Sequence, residues 1–366
     1  MTINLPKKQT KLFIQKNVEL TPLTTLRVGG TARFFVEAET EEEIIRAIKW
    51  ATAERLPIFV LGGGSNVLIS DKGFDGLVLK ILLKGIQAQE PLDGKVAVIA
   101  RAGENWDAFC EFCVRKNLAG VECLSGIPGS VGGTPVQNVG AYGQEVSETI
   151  SSVKVFERKT GKVFEMSNTD CKFSYRASVF NTTEKDEYIV LAVTFCLAEG
   201  GKPKIEYADL KNFFGEKQPT LAETRQAVID IRARKSMVII ESDPNSRSVG
   251  SFFKNPIVSL EKFAEIKTSA RRQRIIARGE NLPHYPVGET RMKIPAAWLI
   301  EKSGFYKGFE FGRVGLSTKH TLAIVNRGGA SAQDVLDLKE KIQAGVKEKF
   351  GIELKAEPVF IGFRES

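Results

Sequence analysis

Two glycine-rich segments have the residue types needed to bind a ligand through the backbone. The first, Gly62-Gly63-Gly64-Ser65-Asn66, directly follows an apolar run at residues 56–61. Successive small residues allow neighbouring N–H groups to point inward together and form an anion-binding concavity. A plain glycine turn explains this segment equally well. It matches neither a Rossmann fingerprint, which needs GxGxxG at the start of a helix, nor a P-loop.

The second segment carries a stronger signal. Residues 126–133 contain four glycines in eight positions, and Gln137-Asn138-Val139-Gly140-Ala141-Tyr142-Gly143 follows closely. The surrounding stretch, residues 121–146, has few charges and no regular periodicity, which is typical of a functional loop rather than of disorder. Two such segments on one chain predict an extended ligand with a pyrophosphate, such as a dinucleotide.

The elements that must position these segments mix helices and strands. Helices are predicted after the capping boxes Thr40–Glu43 and Thr220–Glu223, and over residues 106–117, 294–302 and 331–350. Strands are predicted over residues 56–61, 76–82, 95–100, 188–197 and 354–362, with a hairpin over 153–166 that turns at Thr160-Gly161. The elements alternate early and then mix irregularly, which favours an α+β fold over a doubly wound sheet.

Length and charge narrow the class of protein. A chain of 366 residues suits two or three domains. The net charge of +8 is spread along the chain, and its densest run, Arg271-Arg272-Gln273-Arg274, is short, so we expect no nucleic-acid partner. A mildly basic surface explains this charge balance equally well, although a positive balance also suits small polyanionic ligands. Residues 1–12 are polar and no apolar run has membrane-spanning length, so we expect neither a secretory signal nor membrane insertion.

Cysteine and histidine usage argues against other chemistries. The five cysteines are odd in number and sparse, which favours reduced thiols in a cytoplasm. Cys110 and Cys113 lie in a predicted helix without further ligands nearby, so we predict no metal site. With only two histidines, His284 and His320, a Ser-His-Asp hydrolase is not expected.

Six ordered segments resemble the UDP-N-acetylenolpyruvoylglucosamine reductase family. They are Thr25-Leu26-Arg27-Val28-Gly29-Gly30, residues 61–68, residues 125–145, Tyr175-Arg176-Ala177-Ser178, residues 249–256 and residues 357–362. The resemblance implies a two-part FAD-binding domain of the vanillyl-alcohol-oxidase type, also called the PCMH type, with an α+β substrate-binding domain. The implied boundaries are residues 1–80 with 351–366, residues 81–236, and residues 237–350.

The family also implies a reaction and its catalytic residues. FAD would pass hydride from NADPH to the enolpyruvyl ether of a UDP-sugar, giving UDP-N-acetylmuramate for peptidoglycan. Arg176 matches the active-site arginine, Ser251 the proton donor and Glu357 the catalytic glutamate. We expect a raised pKa for Glu357, because a bare carboxylate would repel the developing anion.

Binding residues follow from the same resemblance. The FAD set comprises Gly62, Gly63, Gly64, Ser65, Asn66, Ile127, Pro128, Gly129, Ser130, Gly132 and Gly133. The substrate set comprises Tyr142, Tyr175, Tyr207, Lys235, Asn255, Lys293 and His320. Both histidines lie outside the FAD segments of the sequence, so FAD is expected to be non-covalent.

Some features separate this chain from other family members. The Tyr207 loop and residues 243–291 indicate the longer-loop subtype. Some members carry an arginine after the glutamate where this chain has Pro358-Val359, which puts one substrate contact in doubt. Two alternatives stay open: an oxidase of the same flavin fold acting on another alcohol or sugar, and a non-catalytic UDP-sugar or flavin sensor. A cytoplasmic monomer is expected.

Overall fold

The chain begins with a four-stranded sheet and one helix. The structure, a computed structural model, describes residues 12–277 and 280–363. Of the polar N-terminal segment, residues 1–12, only Leu12 therefore lies within the described part of the chain. The elements are β1 (Gln15–Glu19), β2 (Thr31–Ala38), α1 (Glu41–Ala53), β3 (Ile58–Leu61), β4 (Val67–Ile69) and β5 (Phe74–Ile81). The sheet order is β1-β2-β5-β3, with β2, β5 and β3 parallel. The first glycine segment leaves the carboxyl end of β3.

Helix α1 begins at the predicted capping box. The Thr40 hydroxyl accepts the backbone N–H of Glu43, and the Glu43 carboxylate accepts the backbone N–H of Thr40. Ile44, Ile48 and Ala51 are fully or almost fully buried. The helix therefore packs its apolar face into the core of the sheet, as the periodicity predicts.

The middle of the chain forms a six-stranded antiparallel sheet flanked by helices. Its elements are β6 (Ile86–Ala88), β7 (Lys95–Arg101), α2 (Trp106–Arg115), β8 (Leu118–Ala119), β9 (Gly140–Ala141), β10 (Gln144–Glu145), β11 (Ile150–Glu157), β12 (Val163–Ser167), β13 (Tyr188–Glu199), α3 (Ala208–Phe214) and α4 (Leu221–Arg234). The order is β12-β11-β13-β7-β6, with β8 also paired to β13, and the predicted hairpin is the β11–β12 pair. Trp106 packs on Phe195 of β13, and its Nε1 donates to the Leu124 carbonyl at 3.0 Å. This contact fixes the start of the second glycine segment to the sheet.

The last part contains two small sheets and three helices. Its elements are β14 (Ile257–Ser259), α5 (Leu260–Arg272), β15 (Tyr285–Val287), β16 (Arg291–Lys293), α6 (Ala296–Lys302), β17 (Glu310–Phe311), β18 (Val314–Leu316), β19 (Ile324–Asn326), α7 (Ala332–Phe350) and β20 (Val359–Ile361). The sheets run β14-β16-β15 and β17-β18-β19. Helix α7 ends, as predicted, at Gly351, whose φ of 65° gives the left-handed C-cap that glycine adopts without strain.

The chain then returns to its first part. Strand β20 pairs in parallel with β4, in the register Val359 to Val67. Just before it, Ala356 forms an antiparallel bridge with Phe253, and the Glu357 N–H donates to the Phe252 carbonyl at 2.9 Å. The predicted strand over residues 354–362 is therefore shorter than expected, since the chain changes pairing partner within it.

Several elements are not predicted from the sequence. Helices α3 and α5, strands β1 and β2, and most strands of two or three residues were missed. Helix α5 buries only Phe263, Ile266 and Ala270 on an otherwise polar surface, and strands this short carry too little alternation to detect. Short 3-10 helices cover Thr21–Leu23, Glu122–Leu124, Val131–Gly133, Val146–Glu148, Val179–Asn181 and Pro244–Ser246. Among the described residues, no helix is long and apolar enough to cross a bilayer.

Candidate active site

A cavity of about 820 Å³ lies where the three parts of the chain meet. Its wall includes every predicted FAD residue, namely Gly62, Gly63, Gly64, Ser65, Asn66, Ile127, Pro128, Gly129, Ser130, Gly132 and Gly133. It also includes Arg176, Ser251, Glu357, Tyr142, Tyr207, Lys235, Asn255 and His320. Two predicted substrate residues, Tyr175 and Lys293, do not line the wall. The volume is at the upper end for a small-molecule site, which suits an extended ligand.

The two glycine segments contact each other directly. A Cβ on Gly63 would lie 2.6 Å from the Cα of Gly129, so a side chain there would push the segments apart. The Ser65 hydroxyl donates to the Pro128 carbonyl at 2.8 Å. Asn66 Nδ2 donates to Gln137 Oε1 at 2.6 Å. The glycines therefore allow two backbone loops to form one continuous wall.

Asp107 anchors the second segment from behind. Its Oδ1 accepts the Gly126 N–H at 2.6 Å, and its two oxygens accept Nη1 and Nη2 of Arg225 at 2.6 and 2.9 Å. Burial raises the pKa of Asp107, but the hydrogen bonds from Arg225 and Gly126 outweigh it and leave that pKa below the ordinary value. A bidentate ion pair thus links helices α2 and α4 to the start of the loop.

Arg232 is a cavity residue that the sequence reasoning missed. Its Nη2 donates to the Met237 carbonyl at 2.7 Å, while its buried Nε has no hydrogen-bond partner in the structure. Burial lowers the pKa of the guanidinium. An unsatisfied buried donor on a cavity wall calls for a ligand acceptor. Arg232 lies three residues before Lys235, the C-cap residue of α4, and this spacing was available from the sequence.

Arg176 and Glu357 form the most enclosed ion pair of the wall. Arg176 Nε lies 3.0 Å from Glu357 Oε1, and the two side chains are 20% and 11% exposed. Arg176 Nη2 donates to the Gly140 carbonyl at 2.8 Å, so the guanidinium bridges the returning C-terminal segment and the second glycine segment. Burial raises the pKa of Glu357, against the opposing effects of Arg176 and Lys254. The direction agrees with the expectation from sequence.

Ser251 lies beside this pair on the neighbouring segment. It precedes Phe252, whose carbonyl accepts the Glu357 N–H at 2.9 Å. Ser251 therefore precedes the residue that pairs with Glu357, and both half-buried residues border the same cavity. Arg176, Ser251 and Glu357 come from separate regions of the chain, and the structure brings all three to one cavity.

Aromatic and cationic side chains form another part of the wall. The Tyr207 ring meets Tyr142 edge-on, with centroids 5.4 Å apart. Lys235 Nζ lies 5.9 Å above the Tyr142 ring and donates to Asp209 of α3 at 2.5 Å. Burial, reinforced by nearby lysines, lowers the pKa of His320 to about 4. The imidazole of His320 is therefore neutral near neutral pH.

Tyr175 and Lys293 lie one layer behind the wall. Lys293 Nζ is 4.9 Å from the Tyr175 ring and 6.0 Å from the ring of Tyr285. Tyr285 lines the cavity and is half exposed, yet no sequence signal pointed to it. A ligand would reach Lys293 past this tyrosine.

The cysteines take no part in the site. All five are free thiols; Cys110, Cys113, Cys123 and Cys171 are buried and Cys196 is partly buried. Burial raises the pKa of Cys110 and Cys113, so neither is activated as a thiolate. Within residues 12–277 and 280–363, no group of three or more His, Cys, Asp or Glu is placed to hold a metal ion.

Comparison with known proteins decides the family. Residues 243–361 match the C-terminal domain of UDP-N-acetylenolpyruvoylglucosamine reductase, and residues 32–167 match an FAD binding domain. The UDP-N-acetylenolpyruvoylglucosamine reductase of Thermobifida fusca is 43% identical over 95% of this chain and 98% of its own length. The chain belongs to the UDP-N-acetylenolpyruvoylglucosamine reductase family. The Streptomyces coelicolor reductase is 45% identical over 94% of this chain and 89% of its own length.

A solved structure shows the same relationship. The UDP-N-acetylenolpyruvylglucosamine reductase of Thermus caldophilus aligns over 95% of this chain and 100% of its own, with 26% identity and a TM-score of 0.64. The predicted α+β class, with an FAD-binding domain and a further domain, is confirmed. Both glycine segments fall within the FAD-domain match, whereas Ser251 and Glu357 fall within the reductase C-terminal match. Arg176 lies between the two.

Proposed function

We propose that this chain reduces UDP-N-acetyl-3-O-(1-carboxyvinyl)glucosamine to UDP-N-acetylmuramate, using NADPH and bound FAD, in cytoplasmic peptidoglycan precursor synthesis. The observation that carries the proposal is the convergence of Arg176, Ser251 and Glu357 on a cavity also lined by both glycine segments. Residues 1–80 with 351–366 and residues 81–236 would form the FAD domain, and residues 237–350 the substrate domain. The active species would be a monomer.

The wall fits FAD on two counts. Gly63 and Gly129 allow two backbone loops to lie against each other, and a wall of exposed backbone N–H groups suits a pyrophosphate. The unpartnered Nε of Arg232 offers a donor to a ring carbonyl. His320 lines the cavity despite lying outside the FAD segments of the sequence, so non-covalent binding stays a proposal. When bound, FAD would carry hydride from NADPH to the substrate.

Arg176 and Glu357 would act on the substrate carboxylate. Reduction of the vinyl group at its terminal carbon drives negative charge toward that carboxylate. A guanidinium held by Gly140 and Glu357 supplies fixed positive charge and donors there without reorganising. Burial raises the pKa of Glu357, which favours the protonated form in which this residue would donate a hydrogen bond to the developing charge.

Ser251 would complete the addition by protonating the adjacent carbon. The proton leaves the serine oxygen for the carbon that has gained the electron pair, and solvent then restores the hydroxyl. A serine hydroxyl is a weak acid, but the carbanionic carbon is a strong base, so the transfer is downhill once the charge has formed.

The far end of the cavity would bind the nucleotide sugar. Lys235 and Lys293 would contact phosphate groups, and the chain's net charge of +8 would raise the local concentration of this polyanion. Tyr207 would cover the diphosphate from the α3 side, where it already contacts Tyr142. The remaining substrate contacts would come from Tyr142, Tyr175, Asn255 and His320.

Anaerobic absorbance measurements test the proposal. Purified protein should be yellow and release FAD on heating; NADPH should bleach it, and the enolpyruvyl UDP-sugar should restore the colour. Bleaching without recovery would rule out this substrate. Oxygen consumption with simple alcohols and no response to NADPH would indicate an oxidase instead.

A further inference from the structure

Lys254 lies between two cavity residues but faces away from the cavity. Ser251 and Asn255 of the same segment line the wall, whereas Lys254 is half-buried behind it. Its backbone N–H donates to the Lys355 carbonyl at 2.9 Å, which fixes it to the returning C-terminal segment. Its side chain crosses to a third segment, where Nζ donates to the backbone carbonyl of Arg176 at 3.2 Å.

The backbone of Arg176 needs such support. Its φ of 55° places a side-chain-bearing residue in the left-handed region, which is disfavoured for residues other than glycine. Ser174 and Ala177 close a tight turn around it with backbone hydrogen bonds of 2.9 and 3.0 Å. The Arg176 carbonyl also accepts Asn181 Nδ2 at 3.3 Å. Two side chains therefore donate to this carbonyl, and Lys254 is the charged donor.

The charges around Lys254 indicate more than packing. Burial lowers the pKa of Lys254; Glu357 opposes this shift, whereas the like charges of Arg176 and Lys355 add to it. Lys254 in turn opposes the burial-driven rise in the pKa of Glu357. A lysine held against two like charges thus acts on both members of the Arg176–Glu357 pair.

We propose that Lys254 is a positioning residue for the reduction step, holding the left-handed backbone of Arg176 so that its guanidinium stays between Gly140 and Glu357. The proposal rests on the proposed function for its kinetic consequence. It does not place Lys254 in contact with FAD or substrate, and it predicts an effect confined to the step that uses Arg176.

Three variants test this role. Lys254→Met keeps an unbranched side chain of nearly the same length but removes the charge and the hydrogen-bond donors. Lys254→Arg keeps the charge and the donors. Lys355→Met removes an exposed lysine from the facing segment. Each is mixed anaerobically first with NADPH and then with the enolpyruvyl UDP-sugar. Lys254→Met should slow recovery of the colour roughly 10- to 100-fold, the worth of a charge-assisted hydrogen bond, and leave bleaching by NADPH nearly unchanged. Lys254→Arg should regain most of the rate, and Lys355→Met should match wild type.

The pH profile gives a second readout. Arg176 and Lys254 are the charged groups that lower the pKa of Glu357, and Tyr175 is a further titratable group beside it. Removing one cation should move the fall in the recovery rate to higher pH. Lys254→Arg, which keeps the cation, should leave this limb in place, so the shift reports the charge of Lys254 rather than the volume of its side chain.

A crystal structure of Lys254→Met separates the two proposals. The positioning role requires Arg176 to leave its 3.0 Å contact with Glu357. The positioning role would be overturned if the Arg176–Glu357 pair were unchanged in Lys254→Met. It would also be overturned if bleaching and recovery were slowed equally, or if the kinetics matched wild type. Failure of the wild-type protein to recover its colour would instead refute the proposed function, and the crystal structure would still decide the role of Lys254.

Discussion

Arg176 and Glu357 meet at 3.0 Å across the wall of the cavity, although they come from distant parts of the chain. Arg176 is placed by its turn and by the Gly140 carbonyl, and Glu357 by its backbone pairing with Phe252. Burial raises the pKa of the carboxyl while the neighbouring guanidinium opposes that rise. The pair therefore joins a permanent cation to an acid that holds its proton to higher pH than a free glutamate.

The raised pKa of Glu357 predicts a pH dependence for substrate reduction. The protonated form is lost as pH rises through this pKa, so the recovery rate of wild type should fall on the alkaline side. Glu357→Gln is a neutral donor at every pH and should abolish this limb, while slowing the optimal rate about tenfold or more. Stopped-flow recovery across about pH 5 to 9 measures both effects. A variant that keeps the wild-type limb would assign it to another group.

His320 provides a test of electrostatics that does not depend on turnover. Its pKa of about 4 lies below the ordinary 6.5, so the unfolded chain binds a proton more readily than the folded one. This contribution to stability is present above pH 6.5 and is lost as pH falls toward 4. With only two histidines in the chain, NMR of His320→Gln identifies the resonance by its disappearance. Titration of that resonance near neutral pH would contradict the burial of the imidazole.

Destabilisation in acid gives the matching thermodynamic measurement for His320. Wild type and His320→Gln are unfolded by denaturant at two pH values, one above 6.5 and one near 4. The free energy of unfolding of wild type should fall more steeply toward acid than that of the variant. Equal falls would show that His320 does not contribute.

Gly63 tests the contact between the two glycine segments. In Gly63→Ala the new Cβ would lie 2.6 Å from the Cα and 2.9 Å from the carbonyl carbon of Gly129. Because both are backbone atoms, the loops must separate. We expect FAD to be lost on gel filtration. Gly161→Ala is the control, because that hairpin glycine has nothing within 4 Å of the added Cβ and lies outside the cavity wall. It should lose about 1 kcal/mol of stability from its positive φ and retain FAD.

Asp107 tests whether the second segment is held from behind. Asp107→Ala leaves the Gly126 N–H and the Arg225 guanidinium without their carboxylate partner. The partly exposed pair should be worth about 1–3 kcal/mol, which appears as weaker FAD binding and a lower free energy of unfolding. Arg33→Ala, which removes an exposed ion pair with Asp75, serves as the control. Unchanged FAD affinity in Asp107→Ala would show that the loop holds its shape alone.

Local signals in the sequence were sufficient for several of the longer elements, but not for β2 or α5. Helices α1, α4 and α7 follow from the caps at Thr40, Thr220 and Ser331 together with their apolar periodicity. Pairing between distant segments left no such signal. Nothing near residue 357 shows that it meets Phe252, or that β20 joins β4, because long-range pairing depends on the whole chain.

The candidate site, like the fold, could be predicted from the sequence only in part. The two glycine segments could be interpreted from residue type alone, and the resemblance supplied Arg176, Ser251 and Glu357. Arg232 and Tyr285 were missed, because an arginine or tyrosine acquires meaning only through its burial and through the cavity it faces. Tyr175 and Lys293 contact each other but do not line the wall.

Replacement of Ser251 tests most directly whether Arg176, Ser251 and Glu357 act together in one reduction. Ser251→Ala protein, reduced anaerobically with NADPH, is mixed with the enolpyruvyl UDP-sugar while the flavin absorbance is followed. We predict normal FAD content and normal bleaching of the Ser251→Ala protein. Its colour should fail to return on the wild-type time scale, because the proton for the substrate carbon next to the reduced carbon is missing. Recovery at the wild-type rate would contradict the convergence of Arg176, Ser251 and Glu357 on one reaction.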